Sequence, residues 1–251
     1  MYDAILPAAA GINNLLIYAK MGIAAERWFA RKMPVASNLQ ALYHWLVTKA
    51  VIGAVKRSGS QLPTPEFFDD GREIEQIVHW STAKQKREKT CCITTAASNA
   101  VRIAHTAFSL GVFLDGVKFI VTGEPFTEFK QRIITSVGAS AIPRYAYGGS
   151  INVGYGCANP AYADELHVNQ HLLALIPGPP RGRADDLVYP FLCTTLHPSF
   201  PRLLVNVESG DYGVFTSRNC GCALESRVMF AFAPCSKLRK IYQRGHELFL
   251  R

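Results

Sequence analysis

Apolar residues recur along this chain in two rhythms, and each predicts a different kind of element. Leu39, Leu42, Tyr43, Leu46, Val47, Ala50 and Val51 keep the three–four spacing of one helix face, with Ser37 or Asn38 placed to cap its start. Core packing accounts for such a face. After the proline-punctuated connection at 61–66, the pattern predicts a helix over residues 69–80. Residues 91–95 form a short β-prone run, and 96–110 read as another helix. His44, His79 and His105 lie on these helices as isolated imidazoles, each read as structural or surface histidine.

The segment from Asp115 onward is more legible. Residues 117–121 are a strand by composition, Gly123-Glu124-Pro125 turns the chain, and Phe126, Phe129, Ile133, Ile134 and Val137 mark a helix face ended by Gly138. A second strand follows over 139–145. A strand–helix–strand unit is a right-handed crossover between parallel neighbours. Residues 203–207 also read as a strand, running into a loop at 208–213. The three exits at 123–125, 144–150 and 208–213 would then leave strands at the sheet edge where open α/β folds place ligands. The expected fold is α/β, a mostly parallel sheet flanked by helices.

Composition narrows the picture. With 251 residues, 49% hydrophobic and 18% charged, the chain buries a large core, and nothing indicates disorder. The apolar stretch at 4–25 is broken by Pro7, Asn13, Asn14 and Lys20. It falls short of the ~20 clean residues a membrane span needs and reads as a buried helix. The net charge of +8 suits either a nucleic-acid face or a polyanionic small molecule. The densest basic run, residues 84–89, has no interleaved aromatics and contains Glu88, so it reads as a solvated turn rather than a nucleic-acid patch. Seven cysteines, an odd number, point to a reduced, cytoplasmic protein without a disulfide framework.

Three stretches together carry a family resemblance: G-E-P-F-T-E-F-K from Gly123, G-A-S-A-I-P-R-Y-A-Y from Gly138, and N-V-E-S-G-D-Y-G from Asn206. They resemble the adenylate-forming superfamily, closest to its phenylacetate–coenzyme A ligase-like and acyl-protein synthetase-like branch. The resemblance runs from about residue 94 to 247. It implies part of the large N-terminal domain of an enzyme that uses ATP and magnesium to convert a carboxylic acid to an acyl adenylate. The acyl group then passes to the thiol of coenzyme A or a carrier protein. Residues 1–90 are expected to form a mainly helical segment, and 91–251 an α/β nucleotide-binding-like part.

Carried over residue by residue, the resemblance places the backbone of Gly123, Glu124 and Pro125 against adenine and stacks Tyr145 on its other face. Ala146, Tyr147 and Gly148 continue that motif. Asp211 matches the carboxylate that bonds both ribose hydroxyls, and Arg244 the arginine before the interdomain hinge, with Gln243 where a glycine is usual. Without the family, Asp211 reads equally well as a turn residue beside Gly210. By analogy, the acid would lie between the helix at 96–110 and the loop at 147–155.

There are departures too. Gly148 and Gly149 stand where the family has the threonine that touches phosphate and the glutamate that holds magnesium. No T-S-G-T-T-G-like phosphate loop is found, nor the small C-terminal domain with its lysine. The sequence therefore supports two readings: a truncated or degenerate acid–thiol ligase, or a non-catalytic nucleotide- or protein-binding module that keeps the fold.

Cys157, His167 and the Cys220-Gly221-Cys222 element supply three thiolates and an imidazole, a closed tetrahedral set for a structural zinc ion. Some members of the resembled branch have similar residues. The other reading is four buried groups in a reduced interior. Cys91, Cys92, Cys193 and Cys235 have no partner pattern and are expected to be buried.

Overall fold

The computed structural model describes residues 2–3, 11–20, 22–31, 39–57, 59, 62–68, 72–147, 151–181, 189–198, 200, 202–225, 229–231, 241–244 and 247–250. The chain forms two compact units. One contains the described residues up to Ile142, and the other contains 143–147 and those from Ile151 onward.

In the first unit, Tyr2–Asp3 (β1), Trp28–Arg31 (β2) and Pro65–Phe68 (β3) make a parallel sheet with β2 in the middle. Trp28, Phe29 and Ala30 are all fully buried, the continuous apolar run of a strand covered on both faces. Ile12–Lys20 (α1) and Leu39–Arg57 (α2) contribute Ile12, Leu15 and Ile52 to the core around Trp28.

The α2 helix forms where its periodicity predicts, but it buries a different face. Leu42, Tyr43 and Leu46 are 45%, 63% and 52% exposed, whereas Thr48 and Ile52 are buried. Spacing identified the helix without identifying what packs on it.

Arg72–Glu88 (α3) extends the expected helix by two turns and takes in most of the basic run. Residues 84–88 are thus helix rather than turn. The chain leaves the helix at Lys89, whose φ is 62°. Ile74, Ile77, Val78 and Ser81 repeat at helical spacing on its buried face. Lys84 is held by Glu88 at 2.6 Å and by Glu26.

Cys91–Ala96 (β4), Ala97–Ser109 (α4), Val117–Thr122 (β5), Glu128–Thr135 (α5) and Ser140–Tyr147 (β6) follow in the predicted order. The β4 and β5 strands are parallel, and β6 neighbours β5. The α4 helix buries Ala97, Ala100, Ile103, Ala104 and Ala107, four alanines around one large side chain. Gly138 adopts φ 82°, the left-handed conformation expected of a glycine ending α5.

From β6 onward the pairing is antiparallel. In the second unit Ile151–Gly156 (β7), Glu165–Val168 (β8), Leu173–Pro177 (β9), Pro190–Thr195 (β10), Val207–Tyr212 (β11), Val214–Thr216 (β12) and Met229–Ala231 (β13) succeed one another. The order β6-β7-β8-β13-β12 is antiparallel at every pairing from β6 onward, and β9-β10-β11 is antiparallel throughout. Ile241–Arg244 (β14) and Glu247–Leu250 (β15) pair as a further antiparallel ladder.

The fold is α/β with sheets flanked by helices, as expected, although the sheet is mixed rather than purely parallel. The connections explain why: three residues separate β6 from β7 and eight separate β7 from β8, whereas a parallel crossover needs about a dozen.

The strand expected at 203–207 is displaced. Leu203 and Val205 are 86% and 67% exposed, and Thr194 and Thr195 occupy the backbone there. Thr195 Oγ1 donates to Arg202 O and accepts from Leu204 N, while Thr194 Oγ1 accepts from Asn206 N. Side chains thus take backbone groups that a ladder would use. The strand begins at Val207 and includes Gly210, φ 78°, opposite a register shift in β10, the signature of a bulge.

Candidate functional site

Tyr145 and Asp211 come together in the second unit, 66 residues apart in sequence. Tyr145 lies on β6 with its ring against the cores built from Val153, Leu173 and Cys193 and from Leu166 and Phe191. Its hydroxyl donates to Asp211 Oδ2 at 2.5 Å. Asp211 lies on β11, where its backbone N–H donates to Ser209 Oγ at 3.1 Å. Burial pushes the Asp211 carboxyl above its ordinary value, although the Tyr145 bond pulls the other way. Burial, with the neighbouring carboxylate, also raises the Tyr145 phenol. The Cys193 thiol nearby is buried and pushed up to about 11. This is a shielded aromatic–carboxylate pair, able to offer a flat ring and hydrogen-bond acceptors to a ligand.

Gly123, Glu124 and Pro125 lie in the first unit, after β5. Glu124 Oε1 accepts from Ser98 N at 2.8 Å and from Ser98 Oγ at 2.5 Å; Oε2 accepts from Lys130 Nζ at 2.8 Å. Ala96, at the N-cap of α4, has no side chain able to cap, so Glu124 supplies the missing acceptor from the next loop. Burial works against the charge, but Lys130 and Ser98 outweigh it and hold the carboxyl below its ordinary value. Ala146 and Tyr147 lie on β6, and Arg244 is placed by its backbone on β14, opposite Glu247. Gly148 and Gly149, with Cys235, lie outside the described residues.

The four metal-ligand candidates converge. The ligand atoms of Cys157, His167, Cys220 and Cys222 all lie within 4.8 Å of one another. His167 Nε2 is 3.1 Å from Cys222 Sγ and 3.7 Å from Cys220 Sγ. A tetrahedral zinc with bonds of about 2.0–2.3 Å needs its ligands roughly 3.5–3.8 Å apart, so the set fits with small adjustments. Cys157 follows β7, His167 lies on β8, and the C-x-C pair sits in the loop after β12. Burial, with the adjacent thiols, pushes Cys157 up to about 12. At Cys222 burial is outweighed by hydrogen bonds, among them Leu224 N–H at 3.4 Å, and its thiol is held below the ordinary value. The six described cysteines are all free thiols; Cys91 and Cys193 are buried as expected, but Cys92 is exposed.

The sequence pattern does not single out three further residues at this cluster. Glu165, 1% exposed, accepts from Arg218 Nε at 2.8 Å and Nη2 at 2.5 Å and from Ala161 N at 2.6 Å. Arg218 Nη2 also donates to Asn159 O and lies 3.9 Å from Cys157 Sγ. Asn159 Nδ2 donates to Cys220 O at 3.0 Å. The available signal was positional: Glu165 and Arg218 each stand two residues before a candidate ligand.

No family profile matches the chain, and no curated protein does. Solved structures do. The chain is similar to 2-hydroxyisobutyryl-CoA ligase, solved in an open conformation with 2-HIB-AMP and CoA. The TM-score is 0.50 and the identity 14%, over 90% of this chain and 47% of that one. A point mutant of coronafacic acid ligase from Pectobacterium brasiliense has a TM-score of 0.41 and 13% identity, over 82% of this chain and 38% of that one. The chain thus spans under half the length of either. The first likeness establishes that the α/β fold resembles part of an acyl-CoA ligase; at such identity it concerns the fold alone. Among the described residues no helix is long and apolar enough to cross a membrane.

Proposed function

We propose that this chain is part of an acyl-adenylate-forming ligase of the phenylacetate–coenzyme A ligase-like kind, and that its second unit binds the nucleoside of ATP or AMP. The observation that carries the reading is the Tyr145–Asp211 pair, within a fold similar to an acyl-CoA ligase. The Tyr145 ring offers a face for adenine. Asp211 Oδ1, the oxygen not bonded by Tyr145, is the acceptor for a ribose hydroxyl. Gly148 and Gly149 bring neither hydroxyl nor carboxylate, so phosphate and magnesium require other groups. The carboxylic acid substrate and the acceptor thiol, coenzyme A or a carrier protein, follow from the same reading.

We further propose that Cys157, His167, Cys220 and Cys222 hold a structural zinc ion. Four protein ligands leave no open position for a substrate, so the metal would tie β7, β8 and the 217–225 loop together rather than take part in chemistry.

Calorimetric titration with AMP tests the first reading. The chain should bind AMP, and Asp211→Asn should weaken binding by about tenfold or more, the size of one lost charge-assisted hydrogen bond. Acid-dependent ATP–pyrophosphate exchange by the chain alone should be absent, because the phosphate-side groups are missing. Failure to bind AMP, or equal binding by the Asn variant, overturns the reading. Elemental content of protein purified without chelator tests the second: about one zinc per chain is expected, and fully folded zinc-free protein refutes it.

A further inference from the structure

Arg218 touches every segment that carries a candidate ligand. It precedes Cys220 by two residues on its own loop. Its guanidinium forks onto Glu165, which precedes His167 by two residues on β8 and therefore shares its side of the strand. One of its nitrogens also donates to Asn159 O and lies 3.9 Å from Cys157 Sγ, in the turn after β7. Asn159 closes the circuit by donating to Cys220 O.

Glu165 is a fully buried carboxylate, and burial of an ion without a partner is costly. Its oxygens are satisfied by Arg218 and Ala161 N. Removing Arg218 would leave that charge unpaired and cut the link between the two loops. Three thiolates around a dication also carry excess negative charge, and Arg218 brings a cation into contact with the cluster.

We propose that Arg218 is the positioning residue of the Cys157–His167–Cys220–Cys222 centre, using Glu165 and Asn159 to hold the Cys157 turn against the Cys220–Cys222 loop and so setting its affinity for metal. The inference rests on the zinc reading above. Residues around metal ligands commonly account for ten- to hundredfold in affinity.

The full chain is compared with Arg218→Gln, Arg218→Lys and, as a control, Arg181→Gln. The control removes an exposed ion pair with Glu208 in the same unit. Zinc affinity is measured by competition with a chromogenic chelator, and ligand geometry by the absorption bands of the cobalt(II)-loaded protein. Arg218→Gln should bind zinc about ten- to hundredfold more weakly and shift the cobalt bands. Arg218→Lys should lie between it and the parent, and Arg181→Gln should match the parent. A role in stability alone would lower the melting temperature and leave the cobalt spectrum unchanged, and that result overturns the proposal. So do affinities of both Arg218 variants within twofold of the parent. If the Gln variant does not fold, the Lys variant decides on the same criteria. A parent chain that binds no zinc defeats the metal reading itself, an outcome distinct from a parent that binds zinc with Arg218 variants that bind it equally.

Discussion

Tyr145 donates its hydroxyl to Asp211 at 2.5 Å, joining β6 to β11 through side chains. Asp211 is shifted up by burial despite that bond. A carboxyl whose folded value lies above its unfolded one stabilises the fold only while it keeps its proton. That contribution is complete below the unfolded value of about 3.9 and is lost as pH rises through the folded value. Asp211→Asn should therefore raise the melting temperature at pH 7.5 and make little difference near pH 3.5. Thermal melts at the two pH values check this; a variant less stable at pH 7.5 would show that the carboxylate is structural. Gain in stability with loss of AMP binding would mark the residue as kept for its ligand.

Glu124 behaves in the opposite sense. Its carboxyl is held below the ordinary value, so its contribution is present above about pH 4.3 and fades as pH falls through the folded value. Glu124→Gln should cost about 1 kcal/mol at pH 7, the scale of a net hydrogen bond. The gap between parent and variant should close in acid, as urea titrations at pH 7 and pH 3.5 would reveal. An equal gap at both would refute the charge-based cap.

Gly138 combines a left-handed backbone with crowding. A Cβ there would stand 2.0 Å from Asp115 Oδ1 and 3.4 Å from Asp115 Cα. Gly111 has φ 65° and open space around it. Gly111→Ala should cost about 1 kcal/mol through backbone strain alone. Gly138→Ala should cost about 2 kcal/mol or more, because Asp115 must also move. Equal urea midpoints for the two variants would remove the steric contribution.

The run from β4 to β6 was legible because local signals agreed there. Strand composition, a glycine turn, a helical apolar face and a terminating glycine each pointed to the same unit. The mixed sheet was less visible, since strand direction depends on connection length and partner choice rather than on strand composition. The shift from 203–207 to Val207–Tyr212 reflects two threonines taking the backbone of an apolar segment in which Leu204 is buried while Leu203 and Val205 face solvent. At the candidate sites, residue types with specific chemistry could be read: the C-x-C pair, Cys157 and His167 do converge. Arg218 and Asn159 could not, because their roles lie in hydrogen bonds to segments 53 to 61 residues away. The exposed face of α2 is not legible for a related reason, as periodicity carries no information about what covers a helix.

The Ser98–Glu124 bond ties the opening turn of α4 to a loop 26 residues later. On a growing chain, that helix start would wait for β5 and the turn after it before its amide found this acceptor. In the finished fold, the exchange of the Ser98 amide proton with solvent reports the opening of the segment that carries Glu124, so one amide serves as a clock for the motion of a distant loop.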